Sequence, residues 1–181
     1  MFDVALTGTG VFTPENTISN DELVVAFNAY ADRFNATHAD EIAAEKVTPV
    51  PYSSSDFILA ASGIERRYVL DKSGILDPNR MFPKLDNRAD EDPAIMAEIG
   101  VDACQKALAQ AGLTGVDVDL VICAASNMER AYPAVAVEIQ QLLGAGGFAS
   151  AMTVPCSPAT LRLQTAADIT KPPPLRRGWV L

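Results

Sequence analysis

The chain of 181 residues predicts an α/β fold, with helices layered on a mostly parallel sheet. Three observations carry this expectation. Strand-like and helix-like segments alternate along the sequence. The run VDLVICAAS at 118–126 is almost unbroken apolar sequence, as in a strand buried on both faces. Capping residues, prolines and glycines mark the ends of the helical segments between the strands.

Taken in order, residues 3–8 (DVALTG) read as a short strand, and Gly8 and Gly10 turn the chain after it. Ser19 and Glu22 form an S-x-x-E capping box ahead of a helix over 20–34. Residues 35–55 are polar and contain Pro49 and Pro51, which predicts a loop excursion with one helical turn around 40–46. A short helix over 56–63 ends at Gly63, and residues 64–70 have strand-like content. Residues 71–91 are a second loop excursion by composition. Asp92 is placed as the cap of the next helix, with Pro93 at its first position and Gly112 as its stop. Along that helix Glu98, Asp102, Lys106 and Gln110 mark a wet face, and Ile95, Ile99, Ala103 and Ala107 a dry one. Strand 118–126 follows, then a helix from Pro133 to Gly144 and a strand over 148–154. A helix from Cys156 to about Thr170, three prolines and a last strand in RRGWVL complete the order. The whole is read as one domain, 1–181, with an atypical tail at 171–181.

The formal net charge is −9, and it is unevenly spread. Residues 1–92 hold 16 acids and 8 bases, whereas residues 93–181 hold 7 and 6. No basic stripe of the kind that binds phosphate backbones is present, which argues against a nucleic-acid partner. No apolar run approaches the roughly 18 residues of a membrane span, and no basic region precedes the apolar start, so a cytoplasmic protein without a membrane partner is expected. The cysteines Cys104, Cys123 and Cys156 are widely spaced and odd in number, and His38 is the one histidine. Neither a disulfide framework nor a metal site is expected from that set.

The most informative stretch is SAMTVPCSPATLRLQTAADI at 150–169, where a buried strand is expected to run directly into Cys156 at the start of an apolar helix. Helix N-termini carry unpaired N–H groups and a partial positive charge, and both favour thiolate over thiol. The backbone N–H there can also stabilise the oxyanion of an attacked thioester. A buried cysteine acting only as a small hydrophobe is the alternative. Cys104 and Cys123, on the dry side of a helix and in the apolar strand, are read as core. His38 is read as a solvated loop histidine. Gly8-Thr9-Gly10 begins like a dinucleotide fingerprint, but no helix opens directly after it. Neither GxSxG nor HExxH occurs.

VPCSPATLRLQTAADI resembles the nucleophile segment of the β-ketoacyl-acyl-carrier-protein synthase III family. GTGVFTPENTISNDEL resembles the opening strand, turn and first helix of that family, and ASGIERRYVLDKSGILDP its S/T-G-I-x-x-R segment. DLVICAASNMERAYPAVAVEIQQLLG resembles the strand, loop and helix before the nucleophile. Four segments in the right order cover the chain to about residue 170. The DKSGILDP run and the long loop are similar to a longer-chain subgroup.

This resemblance implies a thiolase-like fold, of which the chain covers the N-terminal half, with the C-terminal half absent. It implies an acyltransferase of fatty acid biosynthesis. Cys156 takes an acyl group from acyl-CoA, and condensation with decarboxylated malonyl-acyl carrier protein gives a 3-ketoacyl product. A CoA thioester is then a substrate, and no cofactor is implied. A homodimer is implied for the intact enzyme. The family's catalytic His and Asn come from the second half, and no residue here matches them. Phe57 matches a Trp that stacks on the CoA adenine, with a core role as the alternative; Ala61 stands where relatives carry an Arg. Tyr132 matches an aromatic that closes the neighbouring subunit's acyl pocket, with loop-end packing as the alternative. Arg67 matches the Arg after S/T-G-I and is assigned to the substrate side, with a structural role as the alternative. The three prolines of KPPPLRRGWVL and Pro155 depart from the family pattern. A catalytically incomplete fragment, a dimerisation-only remnant, or a hydroxymethylglutaryl-CoA synthase relative are the rival expectations.

Overall fold

The computed structural model describes residues 4–153, 158–170 and 178–180. The chain divides into two compact units, Thr13–Asn87 and Met1–Phe12 with Arg88–Leu181.

The first of these units opens with β1 (Asn16–Ser19), a strand not expected from sequence. Ser19 then caps α1 (Asn20–Thr37). Its Oγ accepts from the Glu22 N–H at 3.2 Å, and Glu22 Oε2 accepts from the Ser19 N–H at 3.0 Å. The capping box therefore forms as expected and satisfies amides the helix start would leave bare. α1 runs past residue 34, and α2 (Ala39–Ala43) follows it, so part of the 35–55 excursion is helical. His38 sits between the two helices. Its Nδ1 donates to Phe34 O at 2.9 Å, and its ring stacks on Phe34 with centroids 4.3 Å apart. It is thus a half-buried helix-end residue rather than a solvated loop histidine, because the stack and the hydrogen bond hold it against α1.

α3 (Ser55–Ser62) starts with Ser54 Oγ accepting from the Phe57 N–H at 3.1 Å. β2 (Arg66–Val69) pairs antiparallel with β1, with Asn16 opposite Val69 and Ser19 opposite Arg66. The expected parallel arrangement does not extend to this pair. Its alternating half-buried and exposed residues suit a two-stranded sheet with one face to water. Residues 71–91 contain neither helix nor strand, as composition predicts. The Asp71 carboxylate organises the loop by accepting from the Lys84 N–H at 2.6 Å, the Ser73 hydroxyl at 2.7 Å and the Gly74 N–H at 2.8 Å.

In the other unit, residues 4–8 form no strand, contrary to expectation. Residues 8–11 lie along α4 (Ile95–Ala111) instead. A Cβ on Gly8 would stand 2.2 Å from Ala107 O, and one on Gly10 would stand 1.9 Å from Ala103 O, so only glycine permits this approach. Thr9 N–H donates to Gln110 Oε1 at 2.7 Å, and Lys106 Nζ donates to Val11 O at 3.0 Å. Backbone groups that a ladder would use are thereby taken by side chains of α4.

α4 begins at Ile95 with Ala94 as its cap, not Asp92; Asp92 Oδ2 accepts from the Ala89 N–H at 3.2 Å. Its buried stripe is Ala97, Gly100, Ala103, Cys104, Ala107 and Leu108, and the expected dry residues Ile95 and Ile99 are only half-buried. The small residues of that stripe allow close packing against β3 (Leu120–Ala125) and α5 (Val135–Leu143). Gly63, Gly112 and Gly144 end α3, α4 and α5 at φ 68°, 67° and 65°, the left-handed conformation that glycine adopts without strain.

β4 (Phe148–Thr153), α6 (Pro158–Thr170) and β5 (Gly178–Val180) complete the unit. The three strands are parallel, in the order β4-β3-β5. Side chains of β3 alternate between two layers. Val121 and Cys123 join the cluster with Cys104, Leu108, Val135 and Ile139 of α4 and α5. Leu120 and Ile122 pack with Ala166 of α6 on the other face. The layered α/β arrangement predicted from sequence is therefore present here. Two expectations are corrected. β4 is mainly exposed rather than buried, because it is the edge strand, and Phe148 is 44% exposed. α6 buries Ala166 but leaves Leu161 and Leu163 exposed. Among the described residues, no helix is long and apolar enough to cross a membrane.

Candidate active site

Parallel strands joined by a helix present their carboxyl ends, and the loops after them, on one side. In this chain those ends are Ala125 of β3 and Thr153 of β4, which are register partners. Residues 126–134 follow the first, and α6 follows the second. Cys156 lies outside the described residues, between Thr153 and Pro158 in the sequence. The elements that flank it, β4 and α6, both pack on β3.

The loop after β3 is fixed by two neighbouring side chains. Glu129 Oε2 accepts from the Met96 N–H at 2.9 Å, which satisfies an amide in the first turn of α4 that has no partner within the helix. Arg130 donates to Asp90 O at 3.2 Å and pairs with Glu138 Oε1 at 3.1 Å. Glu138 is buried, its Oε1 also accepts from the Ala94 N–H at 3.4 Å, and its Oε2 has no hydrogen-bond partner among the described residues. Sequence reading missed this cluster. The available signal was a carboxylate in phase with the buried residues Val135, Ala136 and Ile139 of α5, which demands a cation. Tyr132 follows on the same loop, joined to Pro133 by a cis peptide bond, and is 90% exposed.

Arg67 and Phe57 belong to the Thr13–Asn87 unit. Arg67 Nη1 donates to Asn20 Oδ1 at 2.8 Å, and the buried Asn20 in turn donates from Nδ2 to Ile64 O at 2.8 Å. Those bonds tie β2 to the first residue of α1. Phe57 projects from α3 with 66% of its surface exposed, so it is not a core side chain, and it lines an apolar groove between α1 and α3.

Cys104 and Cys123 are buried and unbridged. Burial, with a smaller effect from Cys123, pushes the Cys104 thiol up to about 12. Burial likewise raises Cys123, partly opposed by the Arg162 guanidinium. Both thiols are therefore held protonated and poorly nucleophilic at neutral pH. Arg162 lies on α6, and its buried Nε has no hydrogen-bond partner among the described residues. Among the described residues, no three His, Cys, Asp or Glu side chains converge as metal ligands.

Comparison with known proteins places this architecture. The chain is 45% identical over 141 residues to a beta-ketodecanoyl-acyl-carrier-protein synthase of Pseudomonas aeruginosa, covering 78% of this chain and 40% of that protein. It is 32% identical over 153 residues to a beta-ketoacyl-acyl-carrier-protein synthase III of Granulibacter bethesdensis, covering 84% and 34%. The crystal structure of a 3-oxoacyl-acyl-carrier-protein synthase III from Aquifex aeolicus superposes with a TM-score of 0.60 at 20% identity, covering 91% of this chain and 39% of that one. No family model matches.

The fold is that of the thiolase-like condensing enzymes. Within that class, the chain belongs to the β-ketoacyl-acyl-carrier-protein synthase III family. It spans 40% and 34% of the length of the two curated relatives named above.

Proposed function

We propose that this chain carries the acyl-accepting part of a 3-oxoacyl-acyl-carrier-protein synthase III-type enzyme of fatty acid biosynthesis. The Cys156 thiolate attacks the carbonyl carbon of an acyl-CoA thioester. The tetrahedral oxyanion collapses, the C–S bond to CoA breaks, and CoA leaves as a thiolate that takes up a proton. The acyl group is then held on Cys156 as a new thioester, which splits one hard transfer into two easier ones. In the intact enzyme that acyl group condenses with decarboxylated malonyl-acyl carrier protein, with a His and an Asn that the family draws from its second half. Enzymes of this kind work in the cytoplasm as homodimers, and we place this protein there.

The observation that carries this reading is the identity of 45% over 141 residues to a ketoacyl synthase, together with the packing of β4 and α6, which flank Cys156, on one strand. The resemblance assigns Tyr132 to a neighbouring subunit's acyl pocket, and its 90% exposure leaves it available for such a contact. Arg67 acts on the substrate side through the α1–β2 junction it braces. Phe57 would offer a stacking face to adenine, but Ala61 supplies no cation beside it. Release of free CoA from decanoyl-CoA, followed with a thiol reagent, tests the transfer. One equivalent per chain, abolished in Cys156→Ala, is expected; equal release by both chains would refute it.

A second reading is favoured by the exposed apolar side chains Leu161 and Leu163 of α6 and Phe148 of β4. Such a surface belongs against another protein layer. On this reading the chain alone is catalytically incomplete and serves in dimerisation. Absence of acylation together with concentration-dependent self-association would select it.

A further inference from the structure

Arg130 and Tyr132 stand two positions apart on the loop after β3 and have opposite surroundings. Tyr132 is 90% exposed. The Arg130 side chain is only 24% exposed, and its guanidinium serves three acceptors. It donates to Asp90 O at 3.2 Å and to Asp92 O at 2.5 Å, and it pairs with the buried Glu138 carboxylate at 3.1 Å. Beside it, Glu129 accepts from the Met96 N–H at 2.9 Å. Two adjacent side chains thus tie the loop to both ends of the segment 90–96.

Backbone bonding does not fix this loop. Among the described residues, residues 127–133 form no backbone–backbone hydrogen bond. Its conformation therefore depends on its side chains. Met128 packs on the core between α4 and α5, and Glu129 and Arg130 make the described hydrogen bonds that leave the loop. Of these three, Arg130 is nearest to Tyr132 in the chain. The loop also starts at Ala125, the register partner of Thr153, so it leaves the sheet at the end from which the chain runs on toward Cys156.

We infer that Arg130 is a positioning residue for acyl transfer: locked by Glu138, it keeps the Tyr132 ring in one placement, and that placement sets which acyl-chain lengths are accepted. This rests on the function proposed above, in which Tyr132 closes a neighbouring subunit's acyl pocket. A ring held in one place ends the pocket at one depth. A longer chain then clashes, and a shorter one leaves apolar surface unfilled. A ring on a loosened loop gives way to either.

The test uses the full chain with meta-fluorotyrosine in place of tyrosine, read by fluorine NMR. Tyr132→Phe identifies the Tyr132 signal, and Tyr30, Tyr52 and Tyr68, all in the Thr13–Asn87 unit, serve as internal controls. The working variant combines Arg130→Ala with Glu138→Gln, which removes the brace without leaving a carboxylate buried alone. In it the Tyr132 signal is expected to move or sharpen while the other three stay in place. Arg130→Lys replaces it if urea denaturation shows it unfolded; lysine keeps a cation for Glu138 but cannot donate in a fork to the two carbonyls. An unchanged Tyr132 signal in the folded variant would overturn the positioning role.

Unlabelled chains are then given octanoyl-, decanoyl-, dodecanoyl- and tetradecanoyl-CoA, and release of CoA is followed for each. The parent is expected to favour its best length over its worst by about tenfold or more, and the double variant to narrow that range to about threefold. Tyr132→Ala should narrow it as far, and adding the double change to Tyr132→Ala should alter the profile no further, since both act through one ring. A fall by the same factor at every length, with the profile kept, would reduce Arg130 to a structural role and overturn the inference. Release from no donor by the parent would refute the function proposed above and the chain-length claim with it, while the Tyr132 signal still decides whether Arg130 places the ring.

Discussion

Arg130 holds the buried carboxylate of Glu138 at 3.1 Å, and this pair fastens the loop after β3 to the start of α4. Removing the cation leaves a buried carboxylate alone. Arg130→Ala is expected to cost about 3 kcal/mol in urea denaturation. Glu138→Gln added to that chain should recover most of the loss, since a neutral amide is cheaper to bury.

The close approach of residues 8–10 to α4 gives a second prediction. A Cβ on Gly10 would stand 1.9 Å from Ala103 O, a backbone atom that cannot turn aside. Gly10→Ala is expected to destabilise the chain by about 1–3 kcal/mol, measured by the same denaturation curve.

Acid sensitivity should trace in part to Asp71. Its carboxyl is held down to about 2, chiefly by the Lys84 N–H, then by the Ser73 hydroxyl and the Gly74 N–H. The folded value lies below the ordinary 3.8, so this contribution is complete above about pH 4 and is lost as pH falls through about 2. Asp71→Asn should lower the urea midpoint at neutral pH and show a shallower decline than the parent between those two pH values.

How much of this was legible in the sequence depends on how local each cause is. The Ser19–Glu22 box, the glycine stops at Gly112 and Gly144, and the apolar run 118–126 act within a few residues of themselves, and each was readable. β1 was not, because NTIS is polar and becomes a strand only through pairing with Arg66–Val69. The DVALTG segment has strand composition, yet residues 4–8 form no strand, and the chain just after them is held on α4, where Gln110 and Lys106 bond to Thr9 and Val11 from about a hundred positions away. The exposure of β4 follows from its place at the edge of the sheet, which its apolar sequence does not encode. At the site, the expectation for Cys156 rests on its flanking pattern, and the residue itself lies outside the described residues. The brace formed by Arg130, Glu138 and the Ala94 N–H joins three segments and left only an out-of-place carboxylate as its trace.

The three cysteines should separate cleanly in reactivity. Burial holds Cys104 at about 12 and raises Cys123, so neither should be alkylated by iodoacetamide at neutral pH until urea opens the fold. Rapid labelling of Cys104 in the native chain would contradict the packing of α4 on β3.

The most direct measurement is peptide mapping by mass spectrometry after incubation with decanoyl-CoA. A decanoyl thioester on the peptide containing Cys156, and none on those containing Cys104 or Cys123, is the predicted result. Acyl label spread over the cysteines in proportion to unfolding, or its persistence in Cys156→Ala, would contradict it.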